Sequence, residues 1–382
     1  MRRTALVLAA SVALVTAVVA SPPASEYQWN LPAGFPLTRV PDDNPMSASK
    51  VELGRFLFYD MRLSVNGQQS CASCHQQAKA FTDGRGRAVG ATGQVHARGS
   101  MSLVNVAYQA TLTWANPRLT RLEEQALVPM YGTQPVELGL PRSGAWLETL
   151  RTDSRYRQLF RAAFPEVADP VTQENAVKAI ASFERSIVSA RSPYDRYRND
   201  RDDTAIPAAA RRGERLHFSQ PLSCCRCHGE FDFSGATDFA GRRHVEPEFH
   251  NTGLYNLTGL LSYPQNNVGL FEFTSVPNDV GKFKAPALRN IAVTAPYMHD
   301  GSAATLADVI AHYEAGGRTI SDEPNRGVGR ANPNKSPSVR GFTLTPGDRD
   351  DLIAFLESLT DRPLLDDARF SDPWPVTAVP SH

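Results

Sequence analysis

Apolar residues recur at helical spacing in several stretches of the chain. From Val51 to Tyr59 they lead, through a polar turn at Asn66-Gly67, into a segment that carries cysteines. Over Asn175 to Ser189, residues Val177, Ile180, Phe183, Ile187 and Val188 fall on one face, as a core-facing helix requires, and Ser192-Pro193 ends the run. Two later helices are predicted over Thr305 to Glu314 and Pro346 to Leu359. In the first, Leu306, Val309, Ile310 and Tyr313 share an apolar face from which His312 points away. Asn251 to Asp279 is rich in Gly, Pro and Asn and reads as long loops. Strand-like alternation is weak throughout, so the pattern predicts a mainly α fold with much irregular structure.

The order of features recurs loosely in the two halves: a helix-like segment, a cysteine pair, a glycine-rich loop, then further helices. A charged stretch from Arg198 to Pro207 closes on a proline and places a boundary near residue 200. A length of 382 residues suits two related domains.

Composition narrows the function. Lys plus Arg and Asp plus Glu number 40 each, so nothing in the overall balance points to nucleic acid or a membrane surface. Arg2 and Arg3 precede an apolar run from Ala5 to Ala20, then Ser21-Pro22-Pro23, which is the pattern of a secretory signal cut after Ala20. The run is short for a membrane span and no later segment is long enough, so a soluble periplasmic protein is expected.

The five cysteines are not scattered as a disulfide framework would be. They form two groups, each closed by a histidine: Cys71-Ala-Ser-Cys74-His75 and Cys224-Cys-Arg-Cys227-His228. In a CxxCH group the two thiols lie one helical turn apart and add to the vinyl groups on one edge of a haem while the adjacent imidazole reaches the iron. A four-cysteine zinc site is the alternative, but its pairs normally stand close in sequence and need no following histidine. Two covalently bound haems c are therefore expected, with Cys225 left over as a spacer. His96, His217, His244, His250, His299, His312 and His382 read individually as surface or hydrogen-bonding residues, and Tyr313, by periodicity alone, as core.

Several further segments resemble the bacterial di-haem cytochrome c peroxidase and MauG superfamily. They are Leu53 to Asp60, Cys71 to Asp83, Ser102 to Asn105, Leu122 to Ala126, Ala179 to Arg185 and, most specifically, Phe283 to Asn290 with Ala295-Pro-Tyr-Met-His-Asp-Gly301. The resemblance implies two cytochrome c-like haem domains with long irregular loops: a peroxidatic one over 21–200 after a signal peptide at 1–20, and an electron-transfer one over 201–382. It makes His75 and His228 the proximal iron ligands and places the second axial ligand of the electron-transfer haem on Tyr313. Peroxidases carry methionine there, and a phenolate lowers the reduction potential relative to a thioether. Over the open face of the first haem the family's glutamine and glutamate look like Gln125 and Glu137, with Glu123 and Glu124 as competitors. Trp114 matches the tryptophan between the haems. The histidine that caps the first iron in peroxidases has no match between Asp83 and Gly99, since His96 is offset, so that haem is expected to rest five-coordinate. The family's calcium site maps its carbonyls to Thr294 and Pro296, but its asparagine to Gly99.

Within the superfamily, Arg98 to Tyr108, Thr113 to Pro117 and Pro129 to Leu138 look closest to the MbnH group, MauG-like enzymes linked to the copper-binding protein MbnP. The implied reaction uses hydrogen peroxide to form high-valent haem iron and oxidises a tryptophan of a periplasmic partner protein to kynurenine. Two alternatives stand beside it. One is a peroxidase proper, drawing electrons from a small cytochrome or copper protein, and the other is a non-enzymatic two-haem electron carrier.

Overall fold

The computed structural model describes residues 27–374 apart from 230, 244, 245 and 260. The export segment, His244 and His382 lie outside the described residues. Within them the fold is mainly helical. The helices of seven residues or more are α1 (Ala48–Tyr59), α2 (Trp146–Thr152), α3 (Ser154–Ala163), α4 (Gln173–Ser186), α5 (Pro193–Asn199), α6 (Ala208–His217), α7 (Leu306–Ala315) and α8 (Pro346–Ser358). Apart from isolated single-residue bridges, extended structure among the described residues is confined to two antiparallel pairs of two-residue strands. These are β1 (Phe249–His250) with β2 (Phe283–Lys284), and β3 (Thr319–Ile320) with β4 (Gly327–Val328). No helix among the described residues is long and apolar enough to cross a membrane.

Local chemistry sets the helix ends. Thr305 and Thr345 open α7 and α8 with capping boxes closed by Asp308 and Asp348, which satisfy backbone donors that have no intrahelical partner. The apolar run after Asn175 stops being helical at Ser186, three residues before the periodicity ends. The cause is tertiary: the Ser189 N–H donates to Asn105 Oδ1 at 2.7 Å, and those of Ala190 and Arg191 donate to Asp361 Oδ2 at 3.1 and 3.0 Å. Ser192-Pro193 then opens α5 as well as closing the run, with Ser192 as N-cap, Pro193 in the first turn and Asp195 completing the box. The short helices α2 and α3 are mostly polar. In α3 only Tyr156, Phe160 and Ala163 are buried, too thin a stripe to stand out in the sequence.

Each half is built round one close helix crossing. Gly54 of α1 packs on α4 so tightly that a Cβ there would lie 2.0 Å from the Ala179 carbonyl oxygen and 2.8 Å from Phe183 Cβ. In the second half a Cβ at Gly213 of α6 would lie 1.9 Å from the Asp351 carbonyl oxygen and 2.8 Å from Phe355 Cβ, both on α8. Both crossings bury a wholly inaccessible phenylalanine, each contributing about 1.5–3 kcal/mol by transfer from water. Cys71 rests against the core that includes Leu53, Leu57 and Ile180, and Cys224 against the one that includes Phe233, Leu352 and Phe355. The crossings thus provide the floors on which the two CxxCH groups sit.

The halves are joined by buried charge. Arg289 grips Asp195 through two hydrogen bonds of 2.9 and 3.0 Å and lies 3.6 Å from Asp232. Asp232 accepts from Asn105 and Gln109 at 2.9 and 2.7 Å, and Lys284 donates to Gln109 at 3.2 Å. Burial pushes the Asp232 carboxyl up to about 7, although Arg289 and its hydrogen bonds pull the other way. It draws the Lys284 ammonium down to about 7 against the pull of Asp232.

Candidate functional site

The first cysteine group is a single helical turn, Cys71–Cys74, whose entry is closed by Ser70 and Ser73; the Ser70 N–H donates to Ser73 Oγ at 3.0 Å. His75 follows as the turn's last cap. Its Nδ1 lies 2.8 Å from the Phe81 carbonyl oxygen, so Nδ1–H donates there and the Nε2 lone pair is left free. Ala80 and Phe81 reach this position with φ of 49° and 61°, a conformation non-glycine residues rarely adopt. The second group repeats the device on a 3-10 turn: His228 Nδ1 lies 3.1 Å from the carbonyls of both Phe233 and Pro286. Burial lowers both imidazole pKa values. His228 falls to about 4 with His217 as the next contributor, so both rings are neutral at pH 7.

None of the five cysteines forms a disulfide. Paired thiols, a neutral imidazole locked through Nδ1 and an open Nε2 are the donor set a covalently attached haem iron requires. The residues fit the group at both motifs.

Cys224, Cys227, His228 and Tyr313 line one cavity of about 290 Å³, and Trp114 stands on its wall. The face of α7 that periodicity assigns to the core is turned largely into this cavity. The Tyr313 hydroxyl has no hydrogen-bond partner among the described residues. Burial first, then the Cys227 and Cys224 sulfurs, hold the phenol proton on well above its usual range. The Trp114 indole N–H donates to the Gly99 carbonyl at 2.8 Å, and the Gly99 N–H donates to the His299 carbonyl at 2.9 Å. Thr294 and Pro296 lie on the wall of the same cavity.

Gln125 ends a short helix, Leu122–Gln125, half-buried, and its side-chain amide makes no hydrogen bond among the described residues. Glu137 is carried on a segment that folds back on the preceding helical turn, Leu127–Tyr131, where the Leu138 N–H donates to the Pro129 carbonyl at 2.9 Å. Its side chain is 36% exposed, and the surrounding protein's desolvation of the carboxyl lifts it to about 7. The competing glutamates are differently employed. Glu123 accepts from Asn44 at 2.7 Å and from Arg185 at 2.9 Å, while Glu124 is exposed.

Three residues acquire a place that the sequence did not assign. His96 Nε2 stands 3.8 Å from Glu137 Oε1. Glu184 is buried with Oε2 unpartnered, and burial lifts its carboxyl to about 8 against the pull of Arg185. His299 is buried, stacks on Phe283 at 3.7 Å and leaves Nε2 without a partner. Only the position of Glu184 and His299 inside family-like segments hinted at either. His217 and His312 are hydrogen-bonding residues, at 2.8 Å from the His228 carbonyl and 3.0 Å from the Thr252 carbonyl.

A helical chain with two such motifs belongs to the c-type proteins that carry two haems. The family model for di-haem cytochrome c peroxidase matches residues 48–203. Cytochrome-c peroxidase IdrP1 of Denitromonas iodatirespirans is 34% identical over 388 aligned positions, covering 94% of this chain and 94% of that protein. Methylamine utilization protein MauG of Methylorubrum extorquens is 33% identical, covering 85% of this chain and 81% of that protein. The crystal structure of a MauG-like protein associated with microbial copper homeostasis superposes with a TM-score of 0.89 at 46% identity, covering 91% of this chain and 100% of that one. The chain belongs to the di-haem cytochrome c peroxidase and MauG family, and it is an oxidoreductase of that family.

Proposed function

We propose that this enzyme is a MauG-like oxidase that uses hydrogen peroxide to oxidise an aromatic residue of a partner protein, with tryptophan to kynurenine as the leading reaction. When bound, the haems supply the oxidising equivalents. Glu137 moves a proton between the two peroxide oxygens, for which a carboxyl poised near 7 is suited, and the Gln125 amide orients the ligand. Trp114, anchored through its indole N–H, relays the electron hole between the halves. His75 would hold the haem that reacts with peroxide, and His228 with Tyr313 would hold the other.

The observation that carries this reading is Tyr313, whose unpartnered phenol lines the cavity that His228 lines. A phenolate ligand disfavours acceptance of electrons from a cytochrome and favours storage of oxidising equivalents. The partner is read as a periplasmic copper-binding protein of the MbnP type, a reading supported by the copper-homeostasis relative. Periplasmic export, haem domains at 21–200 and 201–382, and a calcium ion held by the Thr294 and Pro296 carbonyls complete the proposal. The paired crossings at Gly54 and Gly213 favour the two-domain part.

The test is incubation of the holoenzyme with peroxide and a candidate copper-binding partner protein of the MbnP type, followed by mass analysis of that protein's tryptophans. Conversion of a tryptophan is expected. The second reading, a peroxidase fed by a small cytochrome or copper protein, is favoured by the relatives that bear that name. Rapid turnover of the unaltered enzyme with reduced cytochrome c, and none with the partner, would establish it instead.

A further inference from the structure

The stretch after the first haem motif, where peroxidases keep an iron-capping histidine, is folded here onto Glu137. Val89 bridges Val95, and the His96 N–H donates to the Ala88 carbonyl at 2.8 Å, so the segment turns back on itself. It is fastened to the glutamate's own strand of chain: the Ala91 N–H donates to the Glu137 carbonyl at 2.7 Å, and the Val136 N–H to Gln94 Oε1 at 2.7 Å. At Gly90 the approach is so close that a Cβ would lie 1.7 Å from the Val136 carbonyl oxygen. The result is an imidazole 3.8 Å from the carboxylate, with no hydrogen bond of its own among the described residues. Its side chain is 19% exposed, beside the solvent-facing Val95, so the ring has access to water while its Nε2 stands near Glu137.

We propose that His96 is a positioning residue that exchanges protons between solvent and Glu137. This rests on the role given above to Glu137. The need for it follows from balance. Reduction of one hydrogen peroxide to two waters consumes two electrons, which the oxidised substrate supplies, and two protons, which must enter from solvent at the peroxide. Moving one proton from the near to the far oxygen supplies neither. A proton taken from water by the imidazole passes from Nε2 to Oε1 once the ring closes the gap, and the carboxyl delivers it. Burial lowers the imidazole pKa from its ordinary value and lifts the carboxyl to about 7, so a proton on the ring passes to the carboxylate in the favourable direction. The other charged group facing His96 is Asp83, which favours its protonation. Those facing Glu137 are the Cys71 and Cys74 sulfurs, which lose their protons for good as thioethers.

His96→Gln and His96→Ala in the holoenzyme test it, beside Glu137→Gln, with haem incorporation as the check on folding. Two readouts are taken: the rate of peroxide turnover, and the infrared carboxyl band of Glu137 followed through pH, assigned by its loss in Glu137→Gln. Both His96 variants are expected to slow turnover roughly ten- to hundred-fold, to displace the midpoint of the Glu137 band, and, for His96→Ala, to recover with added imidazole. If Glu137→Gln is slow while His96→Gln turns over normally with an undisplaced band, the relay is wrong and the role of Glu137 stands. If Glu137→Gln turns over normally, both fall together.

Discussion

In the proposed reading Glu137 and Tyr313 carry the asymmetry of the site, and each can be tested by one substitution. Glu137→Gln keeps the shape and removes the proton acceptor, so the reaction with peroxide should slow about 10²–10⁴-fold with the haem spectrum unchanged. Because the carboxyl titrates near 7 and acts as its ionised form, the unaltered enzyme should lose peroxide reactivity as pH falls through that value. Stopped-flow rates from pH 5 to 9 check it. Tyr313→Met supplies the softer ligand of the peroxidases, and should raise the potential of that haem and speed electron entry from reduced cytochrome c. Spectroelectrochemical titration reads the potential directly.

Glu184 gives a stability test with the opposite emphasis. Burial holds its folded pKa at about 8, above the usual 4.5, so the folded protein binds the proton more tightly than the unfolded chain. Its contribution is complete below about 4.5 and is lost as pH rises to 8. Glu184→Gln stays neutral at every pH, so the gap in melting temperature between variant and parent should widen in the variant's favour from pH 5 to pH 8. A constant gap would show that the carboxyl ionises freely in the fold. None of these environments was legible beforehand: the family-like segments marked Glu137 and Tyr313, but only packing distinguishes Glu137 from Glu123, whose carboxylate is spent on Arg185 and Asn44.

At the scale of elements the helix crossings decide where the haem motifs sit. Gly54→Ala and Gly213→Ala each force a methyl into a facing backbone carbonyl, which no rotamer change can relieve. Each is expected to cost about 1–3 kcal/mol in denaturant unfolding and to lower haem incorporation, since the crossing is the floor under the cysteines. Gly347→Ala, where the backbone is not left-handed and a Cβ would meet only Thr345 Oγ1 at 3.9 Å, provides the control for chain entropy. The amphipathic helices were visible as periodicity. Their ends were not, because Asn105 and Asp361, distant in sequence, take the donors after Ser186.

For the whole molecule, the buried Arg289, Asp195, Asp232 and Lys284 cluster fixes one half on the other. Arg289→Met leaves two buried carboxylates short of their cation and should cost about 3–5 kcal/mol in equilibrium unfolding. Removing the exposed Arg326 beside Glu323, a pair 3.9 Å apart with both side chains about 70% exposed, should change stability by less than about 1 kcal/mol. A loosened joint should also slow hole transfer through Trp114 while leaving peroxide binding at the His75 haem intact.

What the sequence by itself determined is the covalent chemistry and the class of fold. CxxCH is contiguous, so the thiols and imidazole come together in one turn wherever that turn lies, and helical periodicity is a property of neighbours along the chain. What only the tertiary structure decided is everything that depends on groups far apart in the chain. That includes which glutamate is free, which histidine faces it, that the apolar stripe of α7 opens on a cavity, and that buried charges join the halves. Those outcomes depend on desolvation and on close approach, and both exist only once the chain has packed.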